Sequence, residues 1–566
     1  MDRFIQCDLI DKGWSEDKKY SAVFPNGDRV LYRVSAADQY ERKKAEFDIM
    51  KQIAALGIPM CMPLEFGTCK DGVYSIQSWI DGVSAEEEIP LLADTEQYVH
   101  GLQAGQILHK IHSIPAPAGR EGWESRFGRK IDRKIRGYHD CPIEFEGADH
   151  MLRYIEEHRH LLKGRPQCLQ HGDYHIGNMI IDPSGVLTVI DFNRWDYGDP
   201  WEEFNRIVWC AQKSHLFATG MVNGYFGGTP PMEFWKLLAL YISSNTLSSV
   251  YWAVPFGQKE IDTMKRQAAE VLGWYDNMNR PVPSWYLGNP CVQTADGLTY
   301  MLKSPFDFSF LSRYGRVFRI FDGQDSGNIC FGTEKDGRRY FIKFAGAPTA
   351  RYDGKPEDAI SRLKSTVPVY QDLRHPNLIE YLGCEEIGGG FAMIFAWADG
   401  ECMGRMFPKS RRRFLQTDTK TRMQVYLDIL SFLEYTASQG YIAIDFYDGS
   451  IMYDFTRHKT VICDIDFFRK RPCVNDMGRM WGSSLFQSPE EYRLGAVIDE
   501  VTNVYTAGAM AFALFSGYRR SPEHWPLGSK RYEVVCRAVH EDRDCRQQSI
   551  RQLIGEWTAA ADPLDI

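Results

Sequence analysis

The sequence predicts an α+β protein of two bilobal domains in tandem, each with a strand-rich lobe followed by a helical one. A loop-and-hairpin layout occurs twice, at residues 171–192 and again at 443–467. Strand-like sequence precedes helix-like sequence in both halves, and 566 residues exceed what one hydrophobic core fills. The expected boundaries are a first domain over 1–280, a linker over 281–304 and a second domain over 305–566.

In the first half, residues 20–24 and 29–34 flank Pro25-Asn26-Gly27-Asp28, a hairpin signal. A charged amphipathic helix follows from about 36 to 56, stopped by Gly57 and Pro59. Residues 73–80 read as a strand that ends at Asp81-Gly82. Leu102, Ile107, Leu108 and Ile111 form a helical stripe broken by Pro115 and Pro117. The loop from His171 to Asn178 leads into Met179-Ile180-Ile181, which turns through Asp182-Pro183-Ser184-Gly185 and returns to deliver Asp191. Aromatic-rich helical sequence fills 203–277, and the prolines 281, 283 and 290 mark a stiff linker. The second half repeats the order. Strands are expected at 316–321 and 339–344, a helix over 357–373, the turn His375-Pro376-Asn377-Leu378, and a helix over 423–438 before Gly440. A loop at 443–450 and a second hairpin then deliver Asp464-Ile465-Asp466-Phe467.

A net charge of −9 argues against a bulk nucleic-acid surface; Lys409-Ser410-Arg411-Arg412-Arg413 is local and reads as a solvated helix start. The fourteen cysteines show no paired spacing for metal or disulfide, which suits reduced thiols in the cytoplasm. No apolar run approaches a membrane span and no signal core opens the chain, so neither membrane nor nucleic acid is an expected partner.

The repeated layout holds the parts that phosphoryl transfer needs. Asp173 is placed to orient a hydroxyl acceptor and take its proton. Asn178 and Asp191 offer Mg²⁺ the few oxygen ligands it wants beside phosphates. Arg33 on a strand suits the donor phosphates, with Glu46 on the following helix as its acidic partner. Gly13 to Lys19 is the candidate phosphate loop. His109, His112 and His175 read as structural. Asp196, Asp199, Glu202 and Glu203 would suit a cationic acceptor, although Asp199 fits a structural brace better.

His171-Gly172-Asp173, Asn178, Asp191 and Gly198-Asp199-Pro200 resemble the aminoglycoside phosphotransferase and choline kinase superfamily. Glu203 stands where that family's last motif ends in Asp, and Leu108 to Pro115 matches a common helix end. The second half resembles a divergent eukaryotic-type serine/threonine protein kinase domain over about 310–560. Lys343, the His375-Pro376-Asn377 turn, Asp466-Phe467-Phe468, Ser488-Pro489-Glu490 and the helix from Thr502 to Gly508 carry that likeness. It implies Asp445 as the acceptor-side carboxylate, Lys343 on the nucleotide, Asp466 on the metal and Arg546 as a structural partner of Glu490. Ile444, Tyr447, Ser450 and Thr366 depart from the pattern, and Asp448 or Asp464 is an alternative metal ligand. The two resemblances imply an ATP (or GTP) and Mg²⁺-dependent phosphotransferase acting on a small-molecule hydroxyl. The second domain would be regulatory or a second phosphotransferase, with a protein substrate as one option. The alternatives are a serine/threonine protein kinase with the second half catalytic, and a nucleotide-responsive pseudokinase that binds partners.

Overall fold

A computed structural model describes residues 3–11 and 17–560. The chain divides into two units, Met1–Cys291 and Val292–Ile566. In the first, short alternating segments form β1 (Gln6–Ile10), β2 (Lys18–Val23) and β3 (Arg29–Ser35). Then come α1 (Tyr40–Ala54), β4 (Pro63–Cys69) and β5 (Gly72–Ser78). The strands make one antiparallel sheet ordered β1-β2-β3-β5-β4. Strand side chains alternate faces, so Tyr32 and Val34 join Ala22, Val30 and Ile76 in one small cluster while Arg33 points the other way.

The second lobe begins with β6 (Val83–Ser84), α2 (Ala85–Glu88), α3 (Asp94–Ile111), α4 (Trp123–His139) and α5 (Ala148–His158). Four short strands follow: β7 (Cys168–Gln170), β8 (Met179–Ile181), β9 (Leu187–Val189) and β10 (Asp196–Gly198). The lobe closes with α6 (Ile207–Lys213), α7 (His215–Phe226), α8 (Met232–Ala253) and α9 (Gln258–Trp274). Helix α8 is apolar nearly all round and runs through the core beside Leu108, Phe127, Tyr154 and Phe204. Helices α3 and α7 meet backbone to backbone. A Cβ on Gly105 would lie 2.1 Å from the Met221 carbonyl oxygen, and one on Gly224 would lie 2.2 Å from that of Leu102.

The two units divide at Cys291–Val292, inside the segment 281–304 expected as a linker, and parts of that segment pack into the cores. Trp285 is fully buried in the first core, where the Trp285 carbonyl accepts from Thr219 at 3.2 Å and that of Gly288 from Asn223 at 2.8 Å. A hairpin, β11 (Cys291–Ala295) and β12 (Leu298–Leu302), follows; its Tyr300 and Leu302 belong to a core of the second unit. Apolar residues between the prolines override their linker-like composition.

The second unit continues with β13 (Arg316–Phe321), β14 (Asn328–Lys335), β15 (Arg338–Ala345), α10 (Pro356–Asp372), β16 (Tyr381–Ile387) and β17 (Gly390–Ala396). The sheet order is β13-β14-β15-β17-β16, the same path as in the first unit. After β18 (Glu401–Cys402) come α11 (Pro408–Leu415), α12 (Thr419–Ser438), β19 (Tyr441–Ile442), β20 (Ile451–Asp454) and β21 (Lys459–Ile462). The chain ends through β22 (Arg469–Lys470), β23 (Cys473–Val474), β24 (Val497–Ile498), α13 (Glu500–Phe515), α14 (Gly528–Ala538) and α15 (Ile550–Ala559). Arg411, read as solvated, is instead an anchor: it donates to the Met403 and Ala513 carbonyls and to Asp448. Among the described residues, no helix is long and apolar enough to cross a membrane.

Candidate active site

Strand β7 delivers the loop 171–178, and each of its bends has a visible cause. Gly172 has φ +85°, and a Cβ there would sit 1.8 Å from the Arg194 carbonyl oxygen, so only glycine fits. Its N–H donates to both carboxylate oxygens of buried Glu203, at 3.0 and 3.2 Å. Tyr174 is buried and donates to the Ala104 carbonyl at 2.7 Å, which ties the loop to α3. The Asn178 side-chain amide donates to the Asp173 carbonyl at 2.9 Å, and the Asn178 carbonyl accepts from Ile190 N at 3.0 Å. Asp182 accepts from Ser184 N and Val186 N, fixing the β8–β9 turn. One residue past that hairpin's Ile190, Asp191 adopts φ +65°. A left-handed aspartate is strained and persists where its surroundings hold it.

What holds Asp191 is the sheet above it. Arg33 donates to Asp191 at 3.0 Å, and Lys19, its cross-strand neighbour on β2, lies 3.8 Å from the same carboxylate. Burial pushes the Asp191 carboxyl up, but Arg33 and Lys19 outweigh it and leave the pKa lowered. Lys19 itself is lowered, chiefly by burial. Lys19 was missed in the sequence because its run Lys18-Lys19-Tyr20 reads as an ordinary strand start; the register with Arg33 is what places it.

The expected Arg33–Glu46 pair is replaced. Arg33 donates to Asp17 at 2.8 Å, while Glu46 accepts from Lys43 at 3.0 Å. Asp17 also accepts from Ser35 and Lys43, and its pKa falls to about 2: burial opposes this, and Lys43, Arg33 and Ser35 prevail. Glu46 acts on Arg33 only through its charge. Of the candidate phosphate loop, residues 13–16 lie outside the described residues.

On the other side of the loop, Arg206 Nε lies 3.3 Å from Asp173 Oδ1 and Arg194 Nε lies 3.8 Å from Oδ2. The four carboxylates read as suiting a cation are already occupied. Asp199 is clamped by Arg165 at 2.7 and 2.9 Å and accepts from Tyr241; Glu202 accepts from Lys130 at 3.1 Å; Asp196 pairs with Arg126 and Arg120; Glu203 holds the loop. Their charge is spent on structure. His112, likewise, bonds Tyr225 at 3.0 Å.

In the second unit, Ser450 takes the place of Asn178: its carbonyl accepts from Cys463 N at 2.9 Å, as the Asn178 carbonyl does from Ile190. The next residue, Asp464, is left-handed at φ +55°, as Asp191 is. By backbone conformation Asp464, rather than Asp466, is the counterpart of Asp191. Residue type could not separate two aspartates two positions apart. Lys343 bridges both, at 2.9 Å to Asp464 and 2.6 Å to Asp466, and Tyr370 donates to Asp466 at 2.9 Å. Thr366, standing where a helix acid was expected, is buried and bonds the Leu363 carbonyl at 2.8 Å. Asp448 is consumed by Arg411 at 2.9 Å and by Tyr518, which removes it as a metal ligand. Asp445 carries φ +58°, and its carboxyl is pushed up to about 7 by burial, then by Asp464, Asp466, Asp325 and Glu491. Glu490 and Arg546 form a buried bidentate pair at 2.7 and 3.0 Å.

Residues 7–235 match the phosphotransferase enzyme family (APH). A curated relative, dual specificity protein kinase zak2 of Dictyostelium discoideum, is 20% identical over 398 residues. That match takes in 61% of this chain, and the chain spans 62% of the relative's length. Among solved structures, the apo form of a thermostable mutant of aminoglycoside phosphotransferase APH(4)-Ia is 16% identical, covering 48% of this chain and 94% of that one, with a TM-score of 0.38. A GDP complex of an aminoglycoside 2'-phosphotransferase-IIIa mutant is 14% identical, covering 49% and 93%, with a TM-score of 0.39. The family match spans β1 to the start of α8 and so takes in Arg33, the loop 171–178 and Asp191: the N-terminal part of this chain carries a phosphotransferase enzyme family match.

Proposed function

We propose that the first unit transfers the γ-phosphoryl group of ATP or GTP to the hydroxyl of a small molecule. The observation that carries this is a left-handed Asp191 tied to Arg33, next to the loop in which the Asn178 amide holds the Asp173 carbonyl. The donor set fits Mg²⁺. The Asn178 amide nitrogen is used on the Asp173 carbonyl, which leaves its oxygen as the atom that would serve as a ligand, and the lowered pKa of Asp191 keeps that carboxylate ionised. When bound, the ion neutralises charge on the phosphates. Arg33 and Lys19 then serve the donor phosphates as fixed cations. Asp173 orients the acceptor hydroxyl and receives its proton.

The second unit is a second kinase-like bilobal domain in this reading, supported by its identical sheet order and by Asp464 matching Asp191. Its Lys343, Asp464 and Asp466 form a closed ion-pair set, and Ser450 lacks the amide oxygen that Asn178 offers, so its role is regulation rather than transfer. The experiment uses the full chain with Mg²⁺-ATP and a panel of hydroxyl acceptors, following ADP release. Asp173→Asn should lower transfer ~10²–10⁴-fold, whereas Asp445→Asn should leave it near wild type. Near-wild-type transfer in Asp173→Asn would sink the assignment. A loss confined to Asp445→Asn would move catalysis to the second unit.

A further inference from the structure

Beside Asp173 the charge is cationic. Arg206 and Arg194 flank the carboxylate itself. On helix α4, Lys130 and Lys134 lie four residues apart on one face, and Lys130 bonds the neighbouring Glu202. Lys134 is half-buried; its Nζ donates to Asn245 Oδ1 at 3.4 Å, and no carboxylate lies within ion-pair distance of it among the described residues. Burial lowers its pKa to about 7, helped by Lys130, Arg206 and Arg133 and opposed by Glu202. Glu202, in turn, is already bonded by Lys130 at 3.1 Å and by Gln170 at 3.2 Å. Lys134 and Arg206 thus share one neighbourhood whose carboxylates are Glu202 and Asp173, and Asp173 must stay available to the acceptor.

Desolvating like charges together is unfavourable until a counter-charge arrives. With Asp196, Asp199 and Glu203 committed to structure, a ligand is the remaining source of it. We infer that the acceptor is an anionic hydroxyl compound whose carboxylate or phosphate is held by Lys134 and Arg206 while its hydroxyl faces Asp173. This rests on the reading of Asp173 as the acceptor-side carboxylate. Arg206 is suited to a planar oxyanion, and Lys134 supplies a point charge beside it.

The test compares four polyols of similar size on the full chain: gluconate, glucose 6-phosphate, sorbitol and glucosamine. Binding is read as the rise in melting midpoint, and phosphotransfer separately as ADP release with Mg²⁺-ATP. At least one anion should stabilise the chain where sorbitol and glucosamine do not. Lys134→Met and Arg206→Gln should each weaken that anion's apparent affinity at least tenfold, and Lys134→Arg should retain it. Which anion binds separates carboxylate from phosphate recognition. Stabilisation by glucosamine, no shift with either anion, or unchanged anion affinity in both variants would overturn the inference. An anion that binds through Lys134 and Arg206 without releasing ADP keeps the anionic pocket and removes the phosphotransfer reading instead.

Discussion

At the scale of single residues, the two sites differ most in how their aspartates are neutralised. Asp173 and Asp191 each have arginine beside them. Asp445 has carboxylates instead, and burial together with those neighbours raises its carboxyl to about 7. A raised acid keeps its proton in the folded state over a pH range where the unfolded chain has lost it. Stability therefore falls as pH climbs from about 4 to 7 and stays low above that. A tenfold difference in proton affinity between the folded and unfolded chain is worth about 1.4 kcal/mol, and residual solvent screening at this partly buried group trims the total. Asp445→Asn should stabilise the chain by ~1–2 kcal/mol at pH 8 in Mg²⁺-free buffer, with the gain shrinking below about pH 7 and vanishing near pH 4. Urea unfolding of variant and wild type across that range measures it. Glu491 is also raised to about 7, chiefly by burial, and adds its own slope to both curves. A gain that is the same at pH 5 and pH 8 would mean that charge is not the cause.

At the scale of elements, the loop 171–178 is only as well placed as the helix it leans on. Tyr174 bonds α3, and α3 is set against α7 by glycines spaced four apart on both helices, Gly101 and Gly105 facing Gly220 and Gly224. At such contacts the neighbour is backbone and cannot yield by a rotamer change. Gly105→Ala should cost about 1–3 kcal/mol, as overpacking does, and should lower phosphotransfer more than its stability loss explains, because Tyr174 moves with α3. Gly164→Ala, where a Cβ meets nothing within 4 Å but φ is +70°, is the control for backbone strain without overpacking.

How much of this was legible differs by element. The β8–β9 hairpin was plain because an apolar run, a turn and a second run need no partner to be recognised. Helix α4 escaped notice although Trp123, Phe127, Ile131 and Tyr138 mark its buried stripe, because basic residues dominate its composition. The glycine contacts had no readable partner, since a close approach belongs to two helices and the sequence shows them one at a time. The Asp464 and Asp466 choice turned on a single backbone dihedral, which no side-chain pattern encodes.

At the scale of the whole molecule, each unit owns its cores. The first gathers residues from α1 to Trp285, while Phe432, Met510 and Trp557 anchor the second. Independent cores unfold as independent cooperative units unless a strong interface couples them. Calorimetry of the full chain should then resolve two transitions. Trp285→Ala removes a fully buried indole from the first core and should cost about 3–5 kcal/mol, lowering one transition and leaving the other in place. That assigns the transitions. Mg²⁺-ATP should raise the one that Trp285→Ala lowers, by mass action on the folded state, and Asp191→Asn should abolish that rise. A rise in the other transition, lost in Asp464→Asn, would show that the second unit also binds nucleotide despite Ser450 and Thr366. One merged transition shifted as a whole by Trp285→Ala would instead mean that the two units unfold as one.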